Sequence, residues 1–88
     1  MTFEVRWDAK ARGFLRKADR QVSERIVKKV DAIKENPMLF LESLRQINSF
    51  KLRIGDYRAI IDMDTANKIL SVRYIDHREN VYKRYKQI

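Results

Sequence analysis

The 88-residue sequence contains no cysteine and only one histidine. The absence of cysteine excludes disulfides, thiolate metal sites and cysteine catalysis. Zinc sites usually take about three or four nitrogen or sulfur ligands, which a chain with one histidine does not supply. We therefore expect a protein without metal or cofactor, whose fold is stabilised by packing alone.

Long apolar runs are also missing. No run approaches the roughly 20 residues of a membrane-spanning helix, and the first residues, MTFEV, contain no signal-peptide core. Twenty Lys and Arg residues against twelve Asp and Glu give a formal net charge of +8. A chain this basic is expected to bind a polyanion or an acidic protein. We predict a cytoplasmic protein with no membrane partner and a single domain over residues 1–88.

The whole chain contains only two glycines and one proline, so few residues interrupt the periodic patterns of its first half. Residues 2–7 alternate apolar and polar side chains, which predicts a strand. Asp8 and Asp19 are candidate N-caps of two helices, and the second helix ends before Pro37. Its apolar stripe recurs at helical spacing and comprises Val22, Ile26, Val30 and Ile33.

The second half of the chain is predicted to be mostly strand. Residues 38–44 are apolar without a clear period and are interpreted as a connector. Three strands are predicted over residues 47–54, 57–63 and 68–76, the last with Leu70, Val72 and Tyr74 on one face. The tail, 78–88, is predicted to form a short helix. The fold class is α+β in two layers, order β-α-α-β-β-β, with two N-terminal helices on a mainly antiparallel four-stranded sheet and one sheet face open.

The segment 51–58 (KLRIGDYR) reads as a hairpin whose two-residue turn is Gly55-Asp56. This turn predicts that Ile54 pairs with Tyr57 and that Arg53 lies directly opposite Arg58, with Lys51 on the same face. Like charges placed opposite each other destabilise a ladder, which indicates that an anion normally binds there. The alternative is that the long side chains extend into water, where their charges are screened.

A second polar string, DHRENVY, occupies residues 76–82 directly after the last predicted strand. In an antiparallel meander this strand end lies beside the start of the strand that carries Arg58, so His77 and Arg78 are predicted to approach it. Guanidinium groups supply forked donors suited to phosphate oxygens. Histidine and Tyr82 could supply base stacking or proton transfer.

Together, KLRIGDYR and the later HRENVY resemble motifs of the RelE/ParE superfamily of bacterial and archaeal toxins, and the predicted element order is similar to theirs. The resemblance covers nearly the whole chain and implies a single RelE-like toxin domain. It further implies the toxin of a type II toxin-antitoxin system. RelE-like toxins are ribosome-dependent endoribonucleases that cut mRNA in the ribosomal A site, using the message's own 2′-hydroxyl as nucleophile.

The resemblance also implies roles for individual residues. Arg58 and Arg78 match phosphate-stabilising arginines, Tyr82 matches a C-terminal tyrosine, and Lys51 matches a hairpin lysine. His77 precedes the matched arginine and is a candidate general acid or base. We assign substrate binding to the basic residues near these positions, which are Arg53, Arg45 and Lys83.

The implied partners are a cognate acidic antitoxin, in a heteromeric complex, and mRNA with ribosomal RNA in the A site. Two positions depart from the family pattern: Ser49 stands where some ribonuclease members carry a basic residue, and Leu44-Arg45-Gln46 replaces a usual Lys-Gly after the leucine. Two alternatives therefore stay open. One is a ParE-like inhibitor of DNA gyrase, and the other is a non-catalytic nucleic-acid-binding member of the family.

Overall fold

The computed structural model describes residues 2–44 and 49–85 of the chain. The order of elements confirms the predicted arrangement and adds one short strand. The elements are β1 (Glu4–Trp7), α1 (Ala9–Lys17), α2 (Arg20–Ile33), a 3-10 turn (Pro37–Leu39), β2 (Glu42–Ser43), β3 (Phe50–Ile54), β4 (Tyr57–Asp64), β5 (Ile69–His77) and α3 (Arg78–Arg84).

Within the described residues the sheet has five strands in the order β1-β5-β4-β3-β2, so the predicted count of four is wrong. Strand β2 lies in the segment interpreted as a connector, where Glu42 pairs with Lys51 and Ser43 with Phe50. Two residues are too few to show alternation, and this is why the pattern did not reveal the strand. Positions 47 and 48 of the predicted strand lie outside the described residues, and β3 begins at Phe50.

Helices α1 and α2 cover one face of the sheet. Asp8 and Asp19 occupy the predicted N-cap positions, although neither side chain makes a capping hydrogen bond. The predicted apolar stripe of α2 is buried against the sheet at three of its positions, while Val22 packs at the margin of the core. The main core comprises Ile26, Val30, Ile33, Leu52, Ile61, Leu70 and Val72, all nearly inaccessible to solvent.

Helix α3 packs on the opposite face of the sheet, which the two-layer prediction left open. Its Val81 is fully buried in a small second cluster with Leu44 and Ile60, and Tyr74 and Tyr85 pack against this cluster. None of the helices in residues 2–44 and 49–85 is both long and apolar enough to cross a membrane.

The β3–β4 hairpin has the predicted register, with Ile54 opposite Tyr57 and Arg53 opposite Arg58. Gly55 has a φ of +57°, a conformation that glycine adopts without the steric cost of a Cβ. A Cβ at this position would lie 2.5 Å from Nη2 of Arg25, so α2 also approaches the turn closely.

A bulge in β5 changes which side chains share a face. Ile60 pairs with Tyr74 but Ile61 pairs with Val72, so no residue of β4 lies opposite Arg73 in the ladder. An extra residue of this kind moves every later side chain to the opposite face. The prediction that Tyr74 shares a face with Leu70 and Val72 is therefore wrong.

Candidate active site

A cavity of about 370 Å³ lies between the β3–β4 hairpin and α3. The side chains that line it are four cations, one carboxylate and one phenol: Lys51, Arg58, Arg78, Lys83, Glu79 and Tyr82. The fold thus brings together five residues that the sequence proposed for catalysis or substrate binding. A concave site with four positive charges is suited to an anionic ligand.

Arg58 is the buried cation of this cavity, with 8 % of its surface exposed. Its Nη1 donates hydrogen bonds to the carbonyl oxygens of Gly55, at 2.7 Å, and Tyr57, at 2.8 Å, which orient the guanidinium toward the hairpin turn. Burial lowers the pKa of Arg58, and the positive charges of Arg53 and Arg78 lower it further. A bound anion would relieve this repulsion.

Lys51 enters the cavity from β3. Its side chain is 17 % exposed, and its Nζ lies 4.0 Å from Oε2 of Glu42 on the neighbouring edge strand. Strand β2 therefore places a carboxylate near the ammonium group. The ammonium is a donor of hydrogen bonds and has no acceptor capacity.

The first turn of α3 forms the other wall and is bonded to the hairpin turn. The backbone N–H of Arg78 donates to the carbonyl oxygen of Asp56 at 2.8 Å. The Arg78 guanidinium is exposed and lies 3.9 Å from the Asp56 carboxylate. This backbone bond joins α3 to the hairpin turn. A shift of the turn would therefore move Arg78 together with Arg58.

Asp76 anchors α3 to the end of β5. Its carboxylate accepts hydrogen bonds from the His77 backbone N–H at 2.7 Å, Asn80 Nδ2 at 3.0 Å and the Tyr74 hydroxyl at 3.0 Å. Burial raises the pKa of Asp76, but these hydrogen bonds together outweigh burial and leave the pKa below its ordinary value. The carboxylate is thus ionised and fully engaged in holding the helix.

His77 does not line the cavity, so the predicted convergence of this residue with the cations is wrong. Because of the bulge at Arg73, its ring lies on the face that α1 covers, 5.7 Å from the ring of Tyr57, which in turn lies 5.8 Å from that of Phe14. His77 is the N-cap of α3, and its Nδ1 accepts a hydrogen bond from the Glu79 backbone N–H at 3.4 Å. A catalytic role for His77 stays a prediction.

The other proposed substrate-binding residues lie elsewhere. Arg53 lines a second groove of about 490 Å³ together with Arg25, Lys28 and Lys29 of α2. We call this the basic groove; Ile54 and Gly55 at the hairpin turn also line it. Arg45 lies outside the described residues.

Glu79 is the cavity residue that sequence reasoning missed. It precedes Tyr82 by three residues and Lys83 by four, and on a helix this spacing places the three side chains on one face. The sequence therefore indicates that these three residues share a face of α3, but not how that face docks against the hairpin. The described residues contain no group of three or more His, Cys, Asp or Glu residues that could hold a metal ion.

Solved structures with the same fold are toxins of the RelE type. The structure is similar to that of the toxin-antitoxin complex RelBE2 from Mycobacterium tuberculosis, with 23% identity and a TM-score of 0.82 over 89% of this chain and 100% of that one. It is also similar to the archaeal RelE-RelB complex from Pyrococcus horikoshii OT3, with 20% identity and a TM-score of 0.75 over 89% and 97% of the chains. The isolated Escherichia coli RelE toxin gives 22% identity and a TM-score of 0.74 over 93% of each chain.

These similarities show that the chain has the α+β fold of the RelE toxins. The family model for the ParE toxin of type II toxin-antitoxin systems, parDE, matches residues 5–82. The chain therefore belongs to this toxin family, within the RelE/ParE superfamily that the motifs indicated. No curated protein sequence matches it.

Proposed function

We propose that this toxin is a metal-independent endoribonuclease that cleaves mRNA in the ribosomal A site. The observation that supports the proposal best is the cavity in which Lys51, Arg58, Arg78 and Lys83 surround one space beside Tyr82. Four cations around a space of this size suit a phosphodiester, whose charge increases as a phosphorane-like transition state forms.

In the proposed reaction the 2′-hydroxyl of one nucleotide attacks the adjacent phosphorus, and the bond to the 5′-oxygen breaks. Arg58 and Arg78 bind the non-bridging oxygens, which forked guanidinium donors suit. The phenol of Tyr82 donates a proton to the departing 5′-oxygen. Because Arg58 is already oriented by Gly55 and Tyr57, it needs no reorganisation when charge develops.

We further propose that an acidic antitoxin holds the toxin inactive in the cytoplasm. The formal net charge of +8 and the cations of the cavity favour a partner whose carboxylates occupy the phosphate position. The similar solved structures from Mycobacterium tuberculosis and Pyrococcus horikoshii OT3 are both toxin-antitoxin complexes. A heteromeric toxin-antitoxin complex follows from the same reasoning.

Inhibition of DNA gyrase is the second candidate function. It is favoured by one observation, which is that the matching family model describes the ParE toxin. A gyrase inhibitor binds a protein and would need no catalytic side chains in the cavity. A ribonuclease should therefore lose mRNA cleavage when Arg78 is substituted, whereas a gyrase inhibitor should leave mRNA intact with or without Arg78.

The test is inducible expression of the chain with mapping of mRNA 5′ ends and of DNA breaks. Arg78→Ala is the informative variant because its guanidinium is exposed, whereas Arg58 also bonds the hairpin backbone. Loss of one donor to the transition state is expected to slow cleavage by about 10²–10³-fold. Arg16→Ala, which removes the same charge from the last turn of α1, should leave cleavage unchanged.

Translation-dependent cuts within codons that Arg78→Ala abolishes would support the ribonuclease. DNA breaks that depend on gyrase, together with intact mRNA, would contradict it and support the second candidate. Equal cleavage by the Arg78→Ala and Arg16→Ala variants would exclude this cavity as the active site. Circular dichroism of each variant provides the control for folding.

A further inference from the structure

The proposed cleavage requires a group that accepts the proton of the 2′-hydroxyl, and few side chains of the cavity can do so. Arg58 and Arg78 are guanidinium groups without acceptor capacity, and Lys51 and Lys83 have none in the charged form in which they would bind the phosphate. The phenol of Tyr82 is needed as the proton donor in the proposed reaction. Among the described residues that line the cavity, this leaves Glu79 as the acceptor.

The neighbouring carboxylates are already engaged. The two oxygens of Asp76 accept hydrogen bonds from Tyr74, Asn80 and the His77 backbone. Glu42 is paired with Lys51, and Asp56 lies at the hairpin turn beside Arg78. Neither Asp76 nor Glu42 nor Asp56 lines the cavity, so none of them is placed to take a proton from a ligand bound there.

The backbone that carries Glu79 is fixed in a way that suits a catalytic group. Its N–H is bonded to Nδ1 of the N-cap residue His77, and the preceding N–H, of Arg78, is bonded to the hairpin turn. Glu79 and Tyr82 are separated by one turn of α3, which places their Cβ atoms about 5–6 Å apart. An acceptor and a donor at this separation can flank a single phosphate group.

We propose that Glu79 is the general base of this toxin, an assignment that rests on the proposed ribonuclease function. The Glu79 carboxylate takes the proton of the 2′-hydroxyl, and the 2′-oxygen forms a bond to phosphorus. The bond between phosphorus and the 5′-oxygen breaks, and that oxygen receives the proton of Tyr82. The products are a 2′,3′-cyclic phosphate and a 5′-hydroxyl end. Glu79 then releases its proton to water, and the Tyr82 phenolate takes up a proton from water.

The experiment is single-turnover cleavage of a defined mRNA on programmed ribosomes, followed as a function of pH. Glu79→Gln keeps the size of the side chain but cannot accept the proton, and it should slow the chemical step by about 10²–10⁴-fold. Its affinity for programmed ribosomes should stay equal or increase, because a negative charge has left a site for phosphate. A general base acts only in its unprotonated form, so the wild-type rate should fall at acid pH, and this fall should disappear in Glu79→Gln.

Two further variants separate catalysis from charge and structure. Glu79→Asp keeps the carboxylate and should recover part of the lost rate, together with the fall at acid pH. Glu24→Gln removes the same charge from α2, where Glu24 is exposed and pairs with Arg20, and should cleave at the wild-type rate. A merely structural role for Glu79 would alter binding and cleavage together and leave the pH profile unchanged.

The assignment is overturned if Glu79→Gln cleaves within threefold of wild type, or if its rate still falls at acid pH as the wild-type rate does. That result leaves the ribonuclease function intact, since wild type cleaves. A wild-type chain that fails to cleave mRNA on ribosomes overturns the proposed function itself, and the assignment of Glu79 with it.

Discussion

The two glycines of this chain should respond in opposite directions to the same substitution, alanine. Gly55 has a φ of +57° at the hairpin turn, where a Cβ would lie 2.5 Å from Nη2 of Arg25. Gly13 lies inside α1, where a Cβ would meet no atom within 4 Å. The comparison thus isolates backbone conformation, because the chemical change is identical.

The expected magnitudes follow from these environments. Gly13→Ala should raise the free energy of unfolding by about 0.5–1 kcal/mol, since alanine loses less freedom on entering a helix. Gly55→Ala should lower it by about 1–2 kcal/mol, the cost of a left-handed conformation for a residue with a Cβ. The contact with Arg25 adds little, because it involves the end of a flexible, exposed side chain.

Urea unfolding followed by the fluorescence of Trp7, the single tryptophan, measures both free energies. Thermal unfolding provides a second measure, with a shift of about 4–8 °C per kcal/mol for a domain of this size. The reasoning is refuted if Gly55→Ala is as stable as wild type, or if Gly13→Ala is destabilised equally. The change in unfolding free energy of the double variant Arg25→Ala/Gly55→Ala should equal the sum of the two single changes to within about 0.5 kcal/mol. A larger difference would show that Arg25 is held rigidly.

Three other outcomes are expected. Val81→Ala should weaken the packing of α3 on Ile60 by about 1.5–2.5 kcal/mol and speed amide hydrogen exchange in α3; unchanged exchange would contradict the buried contact. The pKa of Asp76 is lowered on folding, so its ionised form stabilises the fold above about pH 4. This stabilisation should be lost as the pH falls through the pKa of the folded state. Urea midpoints should therefore fall less steeply at acid pH in Asp76→Asn than in wild type. In the basic groove, the double variant Lys28→Gln/Lys29→Gln should bind ribosomes with a weaker salt dependence. The slope of the logarithm of the binding constant against the logarithm of salt concentration should become smaller by about 1–2. An unchanged slope would show that the groove contacts no phosphate.

Local patterns predicted the elements that have a clear period or a specific turn. The hairpin register followed from two residues, Gly55 and Asp56, because a two-residue loop leaves one pairing of the flanking strands. The second helix followed from its apolar stripe. Strand β2 could not be predicted, because two residues at a sheet edge carry no period and owe their conformation to pairing with β3.

The sequence predicted those parts of the candidate site that depend only on the order and direction of the strands. Lys51, Arg58 and Arg78 meet because the meander returns β5 beside β4. His77 was misplaced because the bulge at Arg73 is a property of two paired strands that one strand's sequence does not show. Glu79 was overlooked because its place in the cavity depends on how α3 docks, which the packing of Val81 determines.

The parallel pairing of β1 with β5 affects when the sheet and the cavity can form during synthesis of the chain. Glu4 pairs with Ile69 and Trp7 with Val72, so the first strand has no partner in the sheet until β5 has been made. Arg78 and Tyr82 follow later still, on α3. A nascent chain that has reached the hairpin therefore has Arg58 but lacks the opposite wall of its cavity. The cavity can therefore be completed only after α3 has been synthesised.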